Sequence, residues 1–119
     1  MYSVKVEANF SAAHNLRNYK GKCESLHGHN WKVEVALSSD KLDKAGMVMD
    51  FKKLKAQLKC VLDKLDHGYL NKGAYFKKIN PTSENIARYI YERLKARIKG
   101  LASVTVWESD NCAASYYGE

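Results

Sequence analysis

With 119 residues, the chain has room for one domain with a modest core, spanning residues 1–119, and none for a second. Lysine and arginine outnumber aspartate and glutamate by 20 to 13, a formal net charge of +7 that brings an anionic partner into view; the lysines are scattered from Lys5 to Lys99 without a nucleic-acid motif, so no nucleic-acid partner is expected. Cys23, Cys60 and Cys112, odd in number and unrelated in spacing, exclude a disulfide framework, and no apolar run suits a signal peptide or membrane span, which predicts a cytoplasmic protein with no membrane partner.

Tyr2, Val4, Val6, Ala8, Phe10 and Ala12 alternate with Ser3, Lys5, Glu7, Asn9 and Ser11, the period of a half-buried strand. His14 continues the buried series. A polar connection from 15 to 28 follows, carrying Cys23, and a loop of that length in a small domain is more often functional than idle. In the second strand, from about 30 to 38, Trp31, Val33, Val35 and Leu37 alternate with Lys32, Glu34 and Ala36, and His27 and His29 extend the inward series backwards. Paired as an antiparallel hairpin, the two strands bring three imidazoles to one end of the sheet.

Asp50 is placed to cap a helix whose inward face is Phe51, Leu54, Leu58, Val61, Leu62 and Leu65, with Lys52, Lys53, Lys55 and Lys59 outward. The Asp66-His67 pair ends it, and such a pair on its own is usually a cap or a surface feature. A second helix begins within Asn80-Pro81-Thr82-Ser83-Glu84-Asn85, with Pro81 expected in the first turn, and buries Ile86, Ile90, Leu94 and Ile98 before Lys99-Gly100 stops it. Val104 and Val106 point inward on a third strand. Glu108 continues their series, so this carboxylate either meets a partner or marks where the strand reaches solvent. Asp110-Asn111 turns into a fourth strand, Cys112 to Tyr117. The order ββααββ predicts an α+β fold, a four-stranded antiparallel sheet with both helices on one face.

Three histidines without an obvious fourth protein ligand describe a catalytic zinc site with an open position, although three imidazoles also suit iron, nickel or copper. Cys23 leaves two readings open: the fourth ligand of a closed structural site in a non-catalytic binding module, or a reactive thiol beside the metal.

Taken together, Phe10-Ser-Ala-Ala-His14, Cys23 followed after three residues by His27-Gly28-His29-Asn30, Asp50-Phe51, Leu65-Asp66-His67, Pro81-Thr-Ser-Glu-Asn85 and Glu108 resemble the 6-pyruvoyl-tetrahydropterin synthase superfamily. The likeness is closest to its bacterial 6-carboxytetrahydropterin synthase branch and runs from the first strand to the last. It implies a tunnelling fold (T-fold) assembled as a homohexamer of two stacked trimers, with active sites between subunits. It also implies a substrate, 7,8-dihydroneopterin triphosphate, and a zinc ion held by His14, His27 and His29. Cys23 would be the proton acceptor, Asp66 and His67 a relay, and Glu108 the anchor of the pterin, assisted by Thr82, Ser83 and Glu84. Glu24 resembles the catalytic glutamate of a folate-type sister group that forms 6-hydroxymethyl-dihydropterin. As the neighbour of Cys23 on an extended loop, it is expected to point the other way, into solvent.

Overall fold

The computed structural model describes residues 1–118. The first alternating stretch forms β1 (Tyr2–His14) and the second β2 (His27–Ser39), paired antiparallel along their full length so that Phe10 faces Trp31 and His14 faces His27. Burial follows the two-residue period: Val6, Phe10, Ala12 and His14 on β1, and Trp31, Val33, Val35 and Leu37 on β2, are removed from solvent. Helix α1 (Phe51–Leu62) is capped by the Asp50 carboxylate, which accepts from the Lys52 amide at 2.9 Å. It lays Leu54, Leu58, Val61 and Leu62 on the sheet.

Among the described residues the sheet has five strands, not the four expected, and is mixed, in the order β3 (Gly68–Tyr69), β1, β2, β4 (Leu101–Ser109), β5 (Cys112–Tyr117). The extra strand, β3 (Gly68–Tyr69), lies parallel to β1 at Ala12 and Ala13 and runs into a 3-10 turn at Leu70–Lys72. Two residues are too few to leave a period in a sequence, which is why it escaped the pattern. Strands β4 (Leu101–Ser109) and β5 (Cys112–Tyr117) complete the antiparallel side.

Helix α2 (Ser83–Lys95) starts later than its sequence suggests. Thr82 is the N-cap, its hydroxyl accepting from the Asn85 amide at 3.1 Å, so Pro81 stands one position before the cap and outside the first turn. Ile90, Tyr91 and Leu94 join the core, with Tyr91 set against Tyr116, while Tyr89 packs on Tyr75 and Phe76. At the return from α2 to β4, Gly100 adopts φ +80°, and a Cβ there would stand 2.9 Å from the Ser38 carbonyl oxygen, so only glycine fits. Both helices cover one face of the sheet, and among the described residues no helix is long and apolar enough to cross a membrane.

Candidate metal centre and active site

The strand periods carry His14, His27 and His29 past the last core layer, where their rings meet nearly edge to face, with centroids 4.7 to 5.2 Å apart. Trp31, fully buried, sets its ring against His14 and His29 and donates its indole N–H to the Ala12 carbonyl at 3.2 Å, forming an apolar floor. His14 is only 2% exposed. Its Nδ1 lies 2.8 Å from the Pro81 carbonyl oxygen, and Nδ1 of His27 lies 2.8 Å from the Ser25 carbonyl oxygen. A carbonyl can only accept, so both Nδ1 atoms carry the proton, and in the neutral rings both Nε2 atoms present lone pairs. Those two Nε2 atoms are 3.1 Å apart.

Two facing lone pairs repel unless a cation lies against both, so the donor chemistry fits a metal ion. His29 adds to the case. Its Nε2 is buried and makes no hydrogen bond among the described residues, although Glu108 Oε1 stands 3.0 Å away, off the line an N–H would need. The same oxygen is 3.4 Å from His14 Nε2. Burial holds the His29 imidazole below its ordinary pKa, with His14 and His27 acting in the same direction and Glu108 opposing them. The neutral form is the one that binds metal. One ligand atom from each of His14, His27, His29 and Glu108 lies within 4.8 Å of the others, a group that could hold a metal ion.

Glu108 reaches this group from an irregular stretch of β4. The register of β4 on β5 shifts between Trp107 and Ser109, which leaves Glu108 without a cross-strand partner, the kind of break that re-aims a side chain.

Cys23 does not join the group. It is exposed on the loop between His14 and His27, so the fourth side chain beside the histidines is the Glu108 carboxylate and not a thiolate. Glu24, expected to face solvent, is half-buried: its Oε1 accepts from the Leu16 amide at 3.2 Å and lies 3.9 Å from His27 Nδ1. The loop folds back on itself, with the Glu24 amide donating to the Leu16 carbonyl at 2.8 Å, which turns this carboxylate inward.

The Asp66-His67 pair also lies apart from the group, beside Ser11 on the β3 side of β1. Asp66 Oδ1 accepts from the Ser11 amide at 2.8 Å, and the His67 amide donates to the Ser11 carbonyl. The Ser11 amide is the main reason the Asp66 carboxyl is held below its ordinary pKa, with His67 adding to it against desolvation. Oδ2 of Asp66 sits 3.1 Å from His67 Nδ1, which orients an imidazole whose side chain is 83% exposed at a left-handed φ of +59°. Thr82, Ser83 and Glu84 form the cap and first turn of α2, immediately after the carbonyl of Pro81 that anchors His14.

The sequence reading missed a set of amides behind the histidines. Asn71, buried, accepts from the Asn15 amide at 3.0 Å and donates to the Asn15 carbonyl at 2.8 Å, while Asn80 makes the same double contact with Arg17 at 2.9 and 3.0 Å. No signal in the sequence marks them, since the burial of Asn71 and the pairing of residues so far apart along the chain arise only from the fold.

Comparison with known proteins gives the same answer from three sides. The family profile described as 6-pyruvoyl tetrahydropterin synthase matches residues 3–119. A 6-carboxy-5,6,7,8-tetrahydropterin synthase from Synechocystis is 43% identical over 123 residues, covering 98% of this chain and 94% of that protein. A dihydroneopterin monophosphate aldolase from Pyrococcus furiosus is 40% identical over 106 residues, covering 87% and 86%. The structure of 6-pyruvoyl tetrahydropterin synthase from Caenorhabditis elegans superposes with a TM-score of 0.87 at 33% identity, covering 99% of this chain and 96% of that one. The T-fold is therefore shared, and the chain belongs to the 6-pyruvoyl tetrahydropterin synthase family of pterin-processing enzymes.

Proposed function

We propose that the protein is a zinc-dependent enzyme that converts 7,8-dihydroneopterin triphosphate and water to 6-carboxy-5,6,7,8-tetrahydropterin, acetaldehyde and triphosphate, in the cytoplasm, on the way to 7-deazaguanine and queuosine. The observation that carries this reading is the 3.1 Å approach of His14 Nε2 to His27 Nε2 while both Nδ1 atoms are committed to carbonyls. His14, His27 and His29 would hold zinc, whose contribution is Lewis-acid stabilisation of negative charge on the substrate side chain.

The remaining residues divide the work by chemistry. Cys23 accepts a proton from the substrate side chain, a task for which a thiolate is suited. His67, with Nδ1–H directed at Asp66, presents its exposed Nε2 and returns a proton from another side. Glu108 accepts hydrogen bonds from the amino group and ring N–H of the pterin, and Thr82, Ser83 and Glu84 assist in seating the ring. Because Asp66 and His67 stand apart from the histidine group, the relay is supplied between subunits, in a homohexamer of two trimers. Among the described residues two sheet edges are open and support such an assembly: β1 from Tyr2 to Phe10, beyond the reach of β3, and the outer side of β5.

Incubation of the zinc-loaded protein with dihydroneopterin triphosphate tests the reading. Formation of 6-carboxytetrahydropterin and acetaldehyde is expected, and the absence of both overturns it. The inward turn of Glu24 beside His27 favours one alternative, a folate-type enzyme releasing 6-hydroxymethyl-dihydropterin, and 6-pyruvoyl-tetrahydropterin would mark the biopterin type.

A further inference from the structure

The surplus of positive charge is not spread over this molecule. Residues 15–26, the loop that joins His14 to His27, and residues 70–81, which end at the carbonyl anchoring His14, carry Arg17, Lys20, Lys22, Lys72, Lys77 and Lys78 against a single carboxylate, Glu24. That is a surplus of five out of the net seven. The remainder of the chain is close to balanced, with fourteen basic and twelve acidic residues.

The two stretches form one unit. The Arg17 guanidinium donates to the carbonyls of Asn71, Phe76 and Ile79, and Asn80 and Asn71 add the paired amide contacts already described. The five lysines are exposed, and among the described residues none of the six cations has a carboxylate within 4.0 Å, in contrast to Lys59 with Asp63 or Arg88 with Glu92. Glu24 is directed to Leu16 and His27 instead. Like charges gathered without counter-charges repel one another, and their field concentrates an anion at that place. The place is defined by the fold. Glu108 comes to the histidines from β4, whereas the basic unit is fastened through Pro81 to His14 on β1.

We propose that this basic rim receives the polyphosphate arm of the substrate. The inference rests on the pterin triphosphate reading above and names the subsite for the end of the molecule away from the ring. A planar, uncharged ring held at Glu108 and a polyanion held at the rim place the side-chain carbons between them, at the histidines. Lysine suits the task, since a flexible ammonium follows a mobile phosphate chain without demanding one geometry.

Titration of the zinc-loaded protein with inorganic triphosphate tests this without turnover. A variant with Lys20, Lys22, Lys77 and Lys78 replaced by Gln is expected to bind at least about tenfold more weakly, with a shallower salt dependence. A charge-matched variant with Lys41, Lys44, Lys52 and Lys55 replaced by Gln, remote from the rim, keeps the affinity. With the full substrate, the rim variant raises KM by a similar factor and changes kcat little. Equal losses in both variants, or none in the rim variant, overturn the inference. If triphosphate binding is lost only in the rim variant while the wild type does not turn over dihydroneopterin triphosphate, the polyanion seat stands and the proposed reaction fails.

Discussion

His14 and His27 are directly opposed on the β1–β2 ladder, and a backbone carbonyl behind each ring, from Pro81 and from Ser25, turns the two Nε2 lone pairs toward each other at 3.1 Å. Without a cation this arrangement is electrostatically unfavourable. Metal removal is therefore expected to destabilise the fold at this end of the sheet. At a free zinc concentration about 100 times the dissociation constant, the bound ion stabilises the native state by roughly 2.7 kcal/mol. Chelation should lower the Tm by several degrees, and His27→Ala should abolish both the metal content and this response.

Cys23 gives a prediction of the opposite kind. The thiol is exposed and outside the histidine group, so Cys23→Ala should retain metal and melting temperature. Its turnover is expected to fall by about 10²- to 10⁴-fold, the usual contribution of a positioned proton acceptor. Metal content measured beside the rate checks both halves. Loss of zinc with the thiol would return the protein to a closed structural site.

The histidine group was legible in the sequence because the strand period is two: once Phe10 and Trp31 are inside, His14, His27 and His29 have to share that face. Glu108 continues the series of Val104 and Val106, but that period left open whether it meets a partner or reaches solvent, because its approach to the imidazoles depends on a register break that no residue type announces. The anchors were not legible. Pro81 and Ser25 act through carbonyl oxygens, which every residue has, and the Asn71–Asn15 and Asn80–Arg17 contacts join residues more than fifty positions apart. The two-residue β3 depends on tertiary pairing with Ala12 and Ala13, with no periodicity of its own.

Asp66 links acid stability to the position of His67. The Ser11 amide is the leading cause holding its carboxyl below the ordinary value of 3.8, so the folded state binds this proton less readily than the unfolded chain does. Its contribution is present above that value and is lost as the pH falls through the lower, folded-state pKa. Asp66→Asn keeps an acceptor for the Ser11 amide but cannot titrate. Unfolding midpoints compared from pH 5 to pH 2 should fall less steeply in the variant than in the wild type.

At Gly100 the fold allows no side chain, since φ is +80° and an added Cβ would press on the Ser38 carbonyl at 2.9 Å. That carbonyl belongs to the penultimate residue of β2, and the Gly100 carbonyl accepts from the Ser38 amide at 2.9 Å, so the backbone has no slack on this side. Gly100→Ala is expected to cost about 1–3 kcal/mol, read as a lower Tm with the metal content unchanged.

Glu108 is the residue whose replacement separates binding from metal retention. Its Oε1 is 3.0 Å from His29 Nε2, but the histidines are oriented from behind by Trp31 and by the carbonyls of Pro81 and Ser25, none of which depends on Glu108. Glu108→Gln should therefore still bind zinc through its three imidazoles. A neutral amide cannot replace the charge-assisted pair of hydrogen bonds proposed for the pterin, worth about 1.5–3 kcal/mol. The expected result is a loss of roughly ten- to a hundredfold in kcat/KM for dihydroneopterin triphosphate, with stoichiometric zinc retained. A variant that instead loses its zinc would identify Glu108 as a fourth metal ligand, and the anchoring of the pterin would then have to come from the first turn of α2.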